Sequence, residues 1–142
     1  MLMKTKILDC TLRDGGYYTN WDFSSEVVKT YIETTNKLPV DYLEVGYRNK
    51  PTKEYMGKFG YTPVSILKKL RKSSKKKLAV MLNEKSTLPE NLDELLTPIK
   101  GLADMVRLAV DPKNFERAVV LAKAVKAMGF EVAFNTMYMS KW

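Results

Sequence analysis

Five stretches of the chain are nearly continuous in apolar residues, and helical periodicity fills most of the intervals between them. The stretches are Lys6 to Leu12, Asp41 to Tyr47, Lys77 to Asn83, Asp104 to Val110 and Glu131 to Met139. A strand covered on both faces reads as an unbroken apolar run, whereas one wet face produces alternation, so the pattern predicts a buried parallel sheet. The intervals predict four helices. Ser24 or Ser25 caps one that runs to about Asn36, with Val27, Val28, Tyr31 and Ile32 on one face. Thr62-Pro63 opens the second, with Val64, Ile66, Leu67 and Leu70 apolar. A short third spans about Asn91 to Ile99 and is interrupted by Pro98. The fourth runs from Pro112 through Phe115, Ala118, Val119, Ala122 and Val125 to a glycine cap at Gly129.

The order βαβαβαβαβ makes the chain α/β, and two architectures compete: an open doubly wound sheet and a (β/α)8 barrel. An open nucleotide-binding sheet advertises a Gly-rich phosphate loop after its first strand. Gly15-Gly16 followed by Tyr17-Tyr18 has the wrong spacing for one. The 142 residues suffice for one folding unit and fall short of a whole barrel, which needs about 200 or more. The expectation is a single partial barrel domain over residues 1–142, the first half of a TIM barrel, ending before a sixth strand. Five strands without closure leave the first and fifth with open edges, which predicts self-association through those edges or pairing with a missing C-terminal half.

Composition narrows the chemistry. With no histidine, the chain lacks the commonest metal ligand and general base, and the single cysteine, Cys10, has no internal disulfide partner. Cys10 is expected buried and inert in the first strand. No apolar run approaches a membrane span, and Met1 to Lys6 lead into no signal-peptide core, so a cytoplasmic location is expected. The net charge of +8 owes much to Lys68, Lys69, Arg71, Lys72, Lys75, Lys76 and Lys77, seven cations with no acid among them. Placed at a helix end and the turn behind it, they read as a solvated face that complements the helix dipole; polyanion binding is the other reading, and nucleic acid is the weaker partner.

The segment Asp9-Cys10-Thr11-Leu12-Arg13-Asp14-Gly15-Gly16 holds the most informative residues. Parallel α/β proteins present their ligands at the C-terminal strand ends. Asp14 offers oxygen ligands suited to Mg2+ or Mn2+, and Arg13 a permanent cation for a carboxylate or a developing enolate; a surface ion pair on a tight turn is the alternative. Glu44 sits inside the apolar run Tyr42 to Tyr47, where a carboxylate needs a partner, and Arg13 is the natural one. Arg107 repeats the motif of a charge within an apolar strand. Asn135, Thr136, Tyr138 and Ser140 either line a pocket or are ordinary strand-end polar groups. The stretch from Arg48 to Tyr61 is the longest irregular one, standing where barrel enzymes carry substrate-covering loops, or else a plain surface connection.

Thr11-Leu12-Arg13-Asp14-Gly15 resembles the first-strand motif of the DRE-TIM metallolyase superfamily, whose members include 4-hydroxy-2-oxovalerate aldolase, 3-hydroxy-3-methylglutaryl-CoA lyase and the isopropylmalate and homocitrate synthases. Leu43-Glu44-Val45-Gly46 is similar to its second-strand segment and Met105-Val106-Arg107-Leu108-Ala109 to the fourth-strand segment of its aldolase branch. The resemblance implies a divalent-metal enzyme, Mn2+ or Mg2+, that makes or breaks a C–C bond beside an enolate. It implies a small 2-oxo acid as substrate, Asp14 as metal ligand, Arg13 as enolate stabiliser and Glu44 as the group holding Arg13. Tyr17 or Tyr18 stands where the aldolase branch has a basic histidine, which makes Tyr17 the third catalytic candidate, while Arg107, Asn135 and Ser140 are the substrate-binding candidates. An aldolase or lyase is the first reading. An acyl-transferring synthase and a non-catalytic polyanion-binding module are the alternatives. The family's His-x-His pair has no counterpart among these residues, so the metal site is incomplete and the isolated chain is expected to be inactive.

Overall fold

The structure is a computed structural model that describes residues 4–142. The opening segment Met1 to Lys6, read above as carrying no leader, lies partly outside the described residues. Five parallel strands, β1 (Leu8–Asp9), β2 (Tyr42–Tyr47), β3 (Lys77–Asn83), β4 (Met105–Val110) and β5 (Glu131–Thr136), pair in sequential order with no reversal. That order removes the open doubly wound alternative and makes the chain the first half of a TIM-type barrel.

Among the described residues six α-helices accompany the strands: α1 (Thr11–Thr19), α2 (Ser25–Thr35), α3 (Lys58–Tyr61), α4 (Val64–Ser73), α5 (Leu92–Leu96) and α6 (Phe115–Ala127). Two of these, α1 and α3, depart from the four expected. The first strand is correspondingly shorter than Lys6 to Leu12. Asp9 accepts the Thr11 N–H at 3.0 Å through Oδ1 and the Tyr31 hydroxyl at 2.6 Å, which turns the chain out of the sheet. Arg13, Asp14, Gly15 and Gly16 therefore stand on a helix, not on a strand end or a turn. Strand β5 stops at Thr136, because Tyr138 takes a left-handed conformation (φ 56°) that ends the extended run.

Helices α2, α4, α5 and α6 pack on the convex face of the sheet. Leu43, Val45, Leu78, Val80, Leu82, Val106, Leu108 and Val110 form one core there with Ile32, Leu67, Leu70, Leu96, Leu121 and Val125. A second, smaller cluster of Tyr47, Met81, Ala109, Trp21 and Met137 marks the concave face. A bulge in β2 governs that face. The register passes from Glu44 opposite Ala79 to Gly46 opposite Val80, leaving Val45 unmatched, so both Glu44 and Tyr47 point inward although they are three residues apart. Gly46 also admits α3, since a Cβ there would stand 2.0 Å from the Phe59 carbonyl oxygen.

Candidate functional site

Charges line the concave face in two tiers. At the N-terminal end of the strands, the Tyr42 hydroxyl donates to Glu131 Oε2, and Lys77 Nζ donates to Glu131 Oε1. This strap reaches from β2 to β5 across the floor of the half-barrel. Desolvation of the Glu131 carboxyl is outweighed by its Lys77 and Tyr42 hydrogen bonds, so its pKa lies below the ordinary value.

The upper tier is built around Glu44, which is fully buried. Arg13 Nε donates to Glu44 Oε1 at 2.7 Å, and Arg107 Nη1 lies 3.2 Å from Glu44 Oε2. Sequence reasoning anticipated the Arg13–Glu44 pair. It could not say which way Arg107 faces, and the β3–β4 register, with Arg107 opposite Met81, answers that it points into the concavity. Burial tends to lower the Arg13 pKa, but the Glu44 carboxylate overrides it and holds the guanidinium above its ordinary value. The guanidinium carbon also sits 5.8 Å from the Tyr47 ring centre.

Arg13 Nη1 donates to Asp14 Oδ1, while the Cys10 thiol donates to Asp14 Oδ2 at 3.0 Å. The Asp14 side chain is 52% exposed, so it faces the open side of the row. Cys10 is not within a strand and not fully buried, contrary to expectation: it precedes α1 at its N-terminus and is partly exposed. Desolvation, reinforced by the neighbouring Asp14, pushes its thiol up to about 11.

Tyr17 stands on α1 with its hydroxyl 2.7 Å from that of Tyr47. Burial, and after it the bond to Tyr17, raises the Tyr47 pKa. Tyr18 is 93% exposed and stands apart. Trp21, which the sequence did not single out, holds this corner together. Its indole N–H donates to the Arg13 carbonyl at 2.8 Å, and its ring lies edge-on to Tyr17 and Tyr47. Its φ of 56° is costly for a bulky residue, and the fit of indole against Gly16 compensates.

Asn135 shares the concave face, level with Ala109 and, through it, with Asn83. Ser140 is exposed on the last turn, Met139–Lys141, beyond the strand. Neither side chain makes a hydrogen bond among the described residues. Glu84, directly after β3, is a second buried carboxylate, with Oε1 3.0 Å from Arg117 Nε on α6. Its position after the apolar run Leu78 to Leu82 was the available signal. The basic run is partly consumed by the fold: Arg71 pairs with Asp104 at 2.8 Å, Lys76 donates to the Leu38 carbonyl, and Lys77 belongs to the floor.

Among the described residues, no three His, Cys, Asp or Glu side chains stand together as a metal group would need. Glu44 is held by two arginines and Glu84 by Arg117, and Asp14, though paired with Arg13, is the exposed carboxylate of the row, one ligand against the roughly six of a divalent ion such as Mg2+. The described residues alone do not complete a divalent-metal site. No helix among the described residues is long and apolar enough to cross a membrane.

No protein-family model matches the chain, and no curated protein matches it. A solved structure does: it is described as "the N-terminal domain of a putative aldolase from Bacteroides vulgatus", and is 72% identical with a TM-score of 0.95. The match covers 97% of this chain and 46% of that one, so the chain spans less than half the length of the relative whose half-barrel it shares.

Proposed function

We propose that the chain is the N-terminal half of a barrel aldolase or lyase of the DRE-TIM metallolyase kind, cleaving the C–C bond of a 4-hydroxy-2-oxo acid. The observation that carries this reading is the buried row Arg13–Glu44–Arg107, which ends at the exposed carboxylate of Asp14. Two guanidiniums face two carboxylates here, so the row is balanced in charge, and what it offers a 2-oxo acid and its enolate is directed N–H donors, Arg13 Nη2 among them. The 72% identity to a chain described as an aldolase domain supports the same class.

In this reading the substrate carboxylate and 2-oxo oxygen lie against Arg13, whose Nε is committed to Glu44 and whose Nη2 is left for ligand. As the C3–C4 bond breaks, its electrons pass to the 2-oxo oxygen, and the charge that develops there is met by a guanidinium already fixed in place. Reorganisation during the reaction is thereby avoided. Glu44 and Arg107 act through Arg13 as positioning residues. Tyr17, its hydroxyl held by Tyr47, is proposed to hydrogen-bond the 4-hydroxyl, whose proton passes to a base from outside these residues as the aldehyde leaves. Asn135 and Ser140 are the further substrate contacts proposed. Asp14 contributes one ligand toward a divalent ion, Mn2+ or Mg2+, whose other ligands come from outside these residues.

The test is a pyruvate titration followed through broadening of the ligand's methyl NMR signal. Saturable broadening with the unaltered chain, lost in Arg13→Met and absent with acetone, is expected. Equal broadening in both proteins would overturn the reading.

A further inference from the structure

The segment after β2, from Arg48 to Tyr61, encloses with α5 a cavity of about 750 Å3 whose walls include Arg48, Asn49, Tyr55, Lys58, Tyr61 and Glu94. Arg48 is anchored at the end of β2, its main-chain N–H donating to the Met81 carbonyl at 2.8 Å. Its Nε donates to the Leu95 carbonyl at 2.7 Å, and Nη1 to the carbonyls of Tyr61 and Thr62 at 3.2 and 3.4 Å. These oxygens belong to the C-terminal turns of α5 and α3, where cations are favoured. They account for two of its three nitrogens. Nη2 has no acceptor, and no carboxylate lies within ion-pair distance of Arg48, among the described residues.

A half-buried cation without a counter-ion is uncommon, because desolvation is then opposed by dipoles alone. Burial accordingly pulls the Arg48 pKa below its ordinary value, with no neighbouring acid to offset it. The acids on the cavity wall are committed elsewhere: Glu94 pairs with Lys50 at 3.2 Å, and Asp22 accepts the Tyr55 hydroxyl at 2.8 Å. Lys58 is exposed on the same wall and forms no ion pair among the described residues. The Asn49 amide oxygen accepts the Asn83 N–H at 3.3 Å, which leaves its NH2 to donate.

We infer that Arg48 and Lys58 bind an oxyanion group, carboxylate or phosphate, of a small organic ligand in this cavity. The free edge of the guanidinium supplies a directed donor, Lys58 supplies a mobile charge, and Asn49 supplies a neutral donor. The inference does not depend on the aldolase reading, which concerns the opposite face of β2. The long segment after β2 then serves to wall a ligand site at the barrel rim.

The test is calorimetric titration of the chain with inorganic phosphate and, separately, with succinate. Saturable binding of at least one is expected, weakened about tenfold or more by Arg48→Met and by Lys58→Glu, and unchanged by Arg13→Met. Phosphate alone would name a phosphorylated ligand, and succinate alone a carboxylate. Arg48→Met also strips three carbonyls of their donor, so if that variant fails to fold, Lys58→Glu, which alters no hydrogen bond, carries the test. Saturation by neither anion, affinity that survives Lys58→Glu, or affinity lost with Arg13→Met would overturn the inference.

Discussion

Removing the charge of Glu44 strands two arginines on the concave face, and this makes Glu44→Gln the most damaging single change expected in the row. Taking one partner from a buried ion pair leaves an uncompensated charge, at a cost of about 3–5 kcal/mol. Urea denaturation measures it. The double variant Glu44→Gln, Arg13→Met is expected to cost less than the sum of the two singles, because Arg13's stranded charge is removed and Arg107 alone is left unpaired. Additive costs would mean that the two side chains do not act as a unit. At the floor, Glu131 has a pKa below its ordinary value in the folded chain, so the stability it contributes is present above about pH 4.5 and is lost as pH falls below it. Glu131→Gln is expected to lower stability near neutral pH by under about 1 kcal/mol, since the pair is partly exposed, and to converge with the unaltered chain in acid. Melting temperatures of the two proteins across that range report it; a gap that widens in acid would contradict the assignment. The residue types of this site were legible in the sequence, since charges inside apolar runs demand partners. The identity of Arg107's partner was not, because it follows from the β2 bulge and the β3–β4 register.

All five strands were legible as elements from their nearly continuous apolar runs, although β1 is shorter than the run that announced it. The helix α1 was not. It contains Gly15-Gly16, a pair that argues for a turn on intrinsic propensity, and tertiary packing overrides that preference. The two glycines are there for different reasons. A Cβ at Gly16 would stand 2.0 Å from the Trp21 ring, whereas at Gly15 the nearest side-chain atom, on Phe23, is 3.7 Å away. Gly15→Ala is therefore expected to stabilise the chain by up to about 1 kcal/mol through helix propensity. Gly16→Ala is expected to destabilise it by about 1–3 kcal/mol and to displace Trp21 from the Arg13 carbonyl. Thermal melts of the two variants decide this, and the same sign for both would contradict the packing account. The helix α3 escaped the sequence for a related reason: four residues that include Gly60 carry no periodicity.

At the scale of the molecule, the half-barrel exposes backbone groups along the outer edge of β5, beside an aromatic cluster in which Phe115 lies edge-on to both Phe134 and Trp142. Unpaired parallel edges recruit further strands, so the chain on its own is expected to associate in a concentration-dependent way. Light scattering that reports a monomer throughout the micromolar range would contradict this. The same incompleteness predicts no measurable retro-aldol turnover of 4-hydroxy-2-oxo acids by the chain alone with Mn2+ or Mg2+. Metal-dependent turnover that vanishes in Asp14→Asn would show that half a barrel suffices.

Recognition of an enolate by the guanidinium row on the concave face is the central claim. Its most direct measurement is the ratio of dissociation constants for oxalate, a planar mimic of the pyruvate enolate, and pyruvate itself, determined by calorimetry without added metal. A site built for the developing charge binds the mimic roughly 10²-fold more tightly or better when complete. Oxalate is expected to bind the chain more tightly than pyruvate, and Arg13→Met to abolish the preference. Equal affinities for the two ligands, or a preference that persists in Arg13→Met, would contradict the claim.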